Sequence, residues 1–231
     1  MPINGFNKTT LLDYPGKIAS TIFLGGCNFR CPFCQNSSLV LSPNKQPVIS
    51  TEEVLSVLKK RQGILEGVCI TGGEPTSDKE LFLLIDKIKE LGYPVKLDTN
   101  GSHPWILKKL INNQMIDMVA MDIKSSKESY AKVSGCKNID LTSICESVEF
   151  LLSNVIPYEF RTTVVRELHD KADFESIGKW IAGCQAYFLQ AYRDSSDVIH
   201  PGFTSYTKTE LEQFQKILLR TIPSVSIRGI D

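Results

Sequence analysis

The chain has 231 residues, 42% of them hydrophobic and 23% charged, with 26 basic side chains against 26 acidic ones. At that length roughly 70% of the extended chain's surface can be buried, so one sizeable core forms without disulfides, and the composition excludes disordered, collagenous and fibrous classes. Zero net charge gives no global field for nucleic acid, no apolar run reaches the ~18 residues of a membrane span, and the first ten residues lack a signal-peptide pattern; the expectation is a cytoplasmic protein with neither nucleic-acid nor membrane partners.

In chain order, residues 9–17 read as a short strand, a Pro15-Gly16 turn and the approach to a second strand at 18–24. Ser50 with Glu53 marks a helix start before a strand at 67–70. Ser77 with Glu80 marks another, followed by Leu81, Leu84, Ile85, Ile88 and Leu91 at helical spacing and a Gly92 stop. Strands at 94–98, 118–123, 158–165 and 186–189 then alternate with helices near 103–113, 141–153 and 170–182. A covering helix and a short terminal strand occupy 206–226.

Six strand-helix units at this spacing call for a parallel sheet, because parallel neighbours need a crossover and the crossover is usually a helix. Six are too few to close an eight-stranded barrel. The expected fold is therefore α/β, a partial (β/α)6 barrel in a single domain, with ligands at the C-terminal strand ends. Within residues 1–231 we expect a cap at 1–17, a cysteine loop at 25–36 and a covering segment at 200–231.

Seven cysteines make an odd count, and three fall within Gly25-Gly26-Cys27-Asn28-Phe29-Arg30-Cys31-Pro32-Phe33-Cys34, directly after a strand. Thiolates so spaced can converge on an iron–sulfur cluster and leave one iron open for a reactive ligand. Structural zinc would need a fourth ligand, and Cys69, Cys136, Cys145, Cys184, His103, His169 and His200 offer no paired spacing. Polar groups also recur where the apolar strands stop. Thr71-Gly72-Gly73-Glu74-Pro75 lets a ligand approach the backbone and presents a carboxylate at the sheet's mouth. Asp98-Thr99-Asn100-Gly101 and Asp122-Ile123-Lys124 follow at the next two strand ends, where two carboxylates can hold a cation. Arg161, in an apolar strand, needs a ligand carboxylate or a buried acid as partner, and Gln190 and Arg193 stand on the rim after the 186–189 strand.

The cysteine loop, with Phe33 just before its third cysteine, resembles that of the radical S-adenosylmethionine (radical SAM) superfamily. The resemblance implies that Cys27, Cys31 and Cys34 hold a [4Fe–4S] cluster whose open iron is chelated by S-adenosylmethionine, the source of a 5′-deoxyadenosyl radical. It further implies that Phe33, Gly72, Gly73, Glu74, Asp98, Asn100, Asp122, Lys124, Arg161 and Gln190 surround the cofactor, with a monovalent cation near Asp98 and Asp122. Thr9 to Lys17, the strand-end residues and Ser226-Ile227-Arg228-Gly229 together resemble the anaerobic ribonucleoside-triphosphate reductase activating proteins, which are glycyl-radical-enzyme activators. Gln35-Asn36 departs from the His-Asn common there. That family implies a glycyl radical enzyme, the anaerobic ribonucleotide reductase, as partner and a flavodoxin- or ferredoxin-type electron donor. The alternative within the superfamily is a small-molecule enzyme similar to 7-carboxy-7-deazaguanine synthase; a non-catalytic cluster or zinc protein would leave the strand-end residues unexplained.

Overall fold

The computed structural model describes residues 2–230. Eight strands take chain order in a mostly parallel, unclosed sheet: β1 (Ile3–Thr10), β2 (Ala19–Leu24), β3 (Gly67–Gly72), β4 (Val95–Thr99), β5 (Met118–Asp122), β6 (Tyr158–Val164), β7 (Tyr187–Ala191) and β8 (Val225–Arg228). The helices are α1 (Ser37–Leu41), α2 (Thr51–Lys60), α3 (Leu81–Glu90), α4 (Pro104–Asn112), α5 (Tyr130–Ser134), α6 (Leu141–Leu152), α7 (Lys171–Trp180) and α8 (Lys208–Leu218). Each of β2 to β7 leads into at least one helix, which makes the six expected βα units and confirms the α/β class.

The chain groups into two compact units. Among the described residues, the first comprises 2–28, 36–99 and 103–119, and the second 29–35, 100–102 and 120–230. In the first, β1 pairs antiparallel with β2, while β2, β3 and β4 are parallel. The Pro15-Gly16 turn closes through Lys17 N donating to Tyr14 O (3.1 Å). Strands β2 and β3 are buried over almost their whole length, as parallel strands covered on both faces must be. Helix α3 buries Leu81, Leu84, Ile85 and Ile88, each contributing about 1.5–3 kcal/mol of apolar burial.

Ser50 caps α2 as expected, its side chain accepting from Glu53 N. The expected Ser77–Glu80 start does not form. Pro75 to Ser77 make a separate 3-10 turn capped by Glu74, and α3 begins at Leu81 after Asp78 Oδ1 has accepted from Glu80 N (2.8 Å). Pro75 fixes φ and favours the tight turn, so Ser77 is already spent before the helix opens.

In the second unit β6, β7 and β8 are parallel. Helices α7 and α8 both open with full capping boxes, Asp170 with Asp173 and Thr207 with Glu210, and Phe174 stacks on Phe214 at 4.5 Å. Buried Glu159 of β6 takes both arms of Arg228 from β8 (2.9 and 3.0 Å). No helix among the described residues is long and apolar enough to cross a membrane.

Candidate active site

In the first unit, the segment delivering Cys27 is laced to the Gly-Gly-Glu run. Gly73 N donates to Leu24 O and Glu74 N to Gly26 O (both 2.8 Å), and Gly26 N donates to Leu39 O (2.8 Å). A Cβ on Gly73 would stand 1.8 Å from Gly26 O, and one on Gly72, at φ +115°, 2.4 Å from Leu24 O. These glycines are therefore required by the chain's own backbone. The space expected for an approaching ligand on their side-chain face holds the end of β2 and the start of the cysteine loop. Asn36 Nδ2 donates to Gly72 O (3.0 Å), which binds the far end of that loop to the same turn.

Glu74 also differs from its expected placement. It is fully buried, and its Oε1 accepts from Thr76 N (3.1 Å), Thr76 Oγ1 and Thr99 Oγ1 (2.7 Å). Its carboxylate is thus committed inside the fold, tying the β3 turn to the end of β4, rather than lying open at the sheet's mouth.

Asp98 is ion-paired with Lys96, two residues earlier on the same strand, and accepts from Cys69 Sγ (3.7 Å). Lys96 is 1% exposed. The sequence reading missed it, although a charged residue inside the apolar 94–98 run is the same signal that singled out Arg161.

In the second unit, Cys31 and Phe33 are buried and Cys34 is half-buried. The turn closes through Cys34 N donating to Cys31 O (3.0 Å). Three backbone bonds from two segments hold it, Arg30 N to Ser134 O (3.0 Å), His200 N to Pro32 O (2.8 Å) and Ile199 N to Cys34 O (3.2 Å). Gln35 Nε2 donates to Arg193 O. Arg193 in turn donates to Gly229 O, so both residues serve the loop's anchoring. Burial pushes the Cys31 thiol up to about 11, against the opposing pull of Lys124.

Asp122, half-buried, accepts from Lys124 Nζ (2.9 Å) and Arg161 Nε (3.0 Å), so Arg161 has an acid of the chain itself as the partner its position demanded. Burial raises the Asp122 pKa, but the two cations outweigh it and hold the carboxyl down at about 2, while Asp122 drives Lys124 up against its own desolvation. Two cations thus converge on this one carboxylate. Asn100 is buried, its Oδ1 accepting from Ser102 N (2.9 Å) in a local turn. Gln190 lies inside β7, opposite Thr163 and Arg228, rather than after the strand.

A further residue with no sequence signal is His169. Its Nδ1 accepts from Val165 N (3.1 Å) and its Nε2 lies 2.8 Å from Lys124 O, so the neutral ring with its proton on Nε2 satisfies both bonds. Burial lowers its pKa, and its ring meets Phe33 edge-on at 6.5 Å. It holds the backbone of Lys124 and packs against the loop bearing Cys31 and Cys34.

The first unit thus places Cys27, Gly72, Gly73, Glu74 and Asp98 at or just beyond the ends of β2, β3 and β4, and the second holds Asp122 and Lys124 at the end of β5 together with Cys31, Cys34 and Asn100. An α/β protein with a three-thiol loop after its first parallel strand and polar groups at successive strand ends is of the class that works at the C-terminal edge of the sheet. The radical SAM superfamily model matches residues 21–181, and the chain belongs to that superfamily. It is 32% identical, over 99% of its length and 96% of the relative's, to a Methanocaldococcus jannaschii protein named "Putative glycyl-radical enzyme activating enzyme". Its fold is similar to that of Streptococcus suis SuiB (TM-score 0.70, 12% identity), covering 90% of this chain and 48% of SuiB, so it spans about half of that protein. It is also similar to a domain of pyruvate-formate lyase-activating enzyme from Bacteroides vulgatus (TM-score 0.56, 16% identity), covering 71% of this chain and 99% of the domain.

The family implies a [4Fe–4S] cluster and S-adenosylmethionine, and the donor set fits. Cys27, Cys31 and Cys34 are cysteines of one short loop that form no disulfide, soft ligands of the kind that select iron–sulfur clusters. Among the described residues no three His, Cys, Asp or Glu side chains stand already gathered as a metal-binding group. Such ligands converge as they lose their protons to the metal. The expected monovalent cation finds no support: Asp98 already faces Lys96, and Asp122 faces Lys124 and Arg161.

Proposed function

We propose that this chain is an activating enzyme that installs a glycyl radical on a partner enzyme, and that the partner is an anaerobic ribonucleoside-triphosphate reductase. The observation that carries the reading is the end-to-end relationship to the M. jannaschii protein, which covers cap, loop, strand ends and terminus alike. Cys27, Cys31 and Cys34 are assigned the cluster. The bound cluster and S-adenosylmethionine would supply an electron and a 5′-deoxyadenosyl radical able to take a hydrogen from glycine Cα.

The remaining roles belong to the chain's own residues. Lys124 and Arg161, gathered at Asp122, are assigned the cofactor's carboxylate, which such cations bind through charge-assisted hydrogen bonds. The backbone of Gly72 to Glu74 is assigned the cofactor's amino group, with Glu74 fixing that turn from beneath rather than touching the ligand. Phe33, Asn100 and Gln190 are assigned places around the cofactor. Hydrogen abstraction from Cα needs no side chain to carry a proton, in keeping with only three histidines in the chain, one of them the buried neutral His169. A flavodoxin or ferredoxin would deliver the electron.

The test is an anaerobic incubation of reconstituted protein, reductant and S-adenosylmethionine with a reductase carrying deuterium at its C-terminal glycine Cα. Deuterium should appear in 5′-deoxyadenosine, and the reductase should show a glycyl radical signal in electron paramagnetic resonance. Turnover of a small metabolite with no protein radical would overturn the proposal.

A further inference from the structure

Lys96 lies mid-strand on β4 and is 1% exposed, a position where an ammonium is costly to desolvate and where an apolar side chain would serve packing as well or better. Its surroundings form a polar seam on one face of the first unit's sheet. Cys69 of β3 is opposite it in register, with Sγ 3.9 Å from Nζ, and Thr21 of β2 is opposite Cys69 and donates to Asp13. Two residues along β4, hence on the same face, Asp98 takes the Lys96 ammonium. The next residue, Thr99, donates to Glu74 and so fixes the Gly-Gly-Glu turn.

We propose that Lys96 is a built-in cation which occupies, at Asp98, the place a free monovalent ion would otherwise fill, and so positions the end of β4 without any exchangeable metal. The Lys96 ammonium stands against the Asp98 carboxylate, where a recruited ion would have to sit. A tethered charge also spares the site the ordering of a free one at each binding event. Lys96 is thus a positioning residue acting through Asp98, and its effect on cofactor binding rests on the S-adenosylmethionine reading above.

The test compares potassium, sodium and choline chlorides at equal ionic strength, choline being too large to enter. For the parent protein before reconstitution, the thermal midpoint should be the same in all three salts. After anaerobic reconstitution, its affinity for S-adenosylmethionine by calorimetry should also be unchanged between potassium and choline. Lys96→Ala, which leaves both a charge deficit and room for an ion, should bind the cofactor about tenfold more weakly in choline and recover in potassium, with its thermal midpoint moving in parallel. Lys96→Met, which fills the space without a charge, should not be rescued. A merely structural lysine would show no dependence on the identity of the cation. A parent protein that loses thermal stability or affinity in choline would overturn the proposal, and that measurement needs no variant to fold. Failure of the parent to bind S-adenosylmethionine in any salt would instead refute the cofactor reading, leaving the thermal series to decide the role of Lys96.

Discussion

Replacing Glu74 tests whether its carboxylate is a strut or a ligand contact. One oxygen, Oε1, accepts from Thr76 N, Thr76 Oγ1 and Thr99 Oγ1 inside a fully buried pocket. Glu74→Ala removes the acceptor from all three. The Thr76 hydroxyl keeps a second partner in His103 Nδ1 at 3.0 Å, while the Thr76 amide and the Thr99 hydroxyl each lose their bond to Glu74. At about 1–3 kcal/mol for each buried donor that loses its acceptor, the expected loss is about 2–6 kcal/mol, a large share of the ~5–15 kcal/mol by which domains are stable. Glu74→Gln retains a carbonyl oxygen at the junction and should lose only about 1–2 kcal/mol. Anaerobic urea unfolding of the cluster-free protein, followed by circular dichroism, reads both values without any cofactor. Glu74→Ala within about 1 kcal/mol of the parent would show the network to be incidental and return Glu74 to the role of a ligand contact.

Changing Cys27, Cys31 or Cys34 to Ala should abolish the iron-dependent absorbance after anaerobic reconstitution, whereas Cys184→Ala, at a buried thiol that burial holds up at about 12, should leave it intact; iron retained by all three single variants would refute the ligand assignment. Gly73→Ala forces a Cβ to 1.8 Å from Gly26 O and should prevent stable folding, while Gly92→Ala, at φ +82° in open space, should cost only about 1 kcal/mol; similar unfolding midpoints for the two would contradict the close approach. Because the folded-state pKa of His169 lies below its ordinary 6.5, the stability tied to its neutral form is present above that value and declines as pH falls below it. His169→Phe should flatten the acid side of the stability profile, and an unchanged slope would show that another group sets it.

The succession of strands was legible because each buried parallel strand is a short apolar run and each crossover has helical spacing; β2, β4, β5 and β6 lie within one or two residues of their expected limits. Local capping was less secure. Ser50 with Glu53 and Ser77 with Glu80 carry the same signature, but Pro75 turns the chain before Ser77 can act as a cap. Gln190 was placed past a strand that in fact includes it, an error of boundary that matters because it determines which way the side chain alternates.

The pairings within the site were less legible, for a physical reason. Sequence order shows that polar groups stand where apolar strands stop, but whether a carboxylate there awaits a ligand or is already satisfied depends on residues far along the chain. Glu74 meets Thr99, and Asp122 meets Arg161 thirty-nine residues away. Arg161 was read correctly because a lone charge in an apolar strand must find a partner, whatever that partner is. Lys96 obeys the same rule and sits only two residues from its acid, yet its partner Asp98 had been reserved for an external cation. The two acids therefore stand in different circumstances. Asp98 faces a lysine two residues earlier on its own strand, whereas Asp122 gathers Lys124 close by and Arg161 from β6. Cations gathered side by side bind an anionic group through charge-assisted hydrogen bonds, which is why the cofactor carboxylate is assigned to the surroundings of Asp122 in the proposal above.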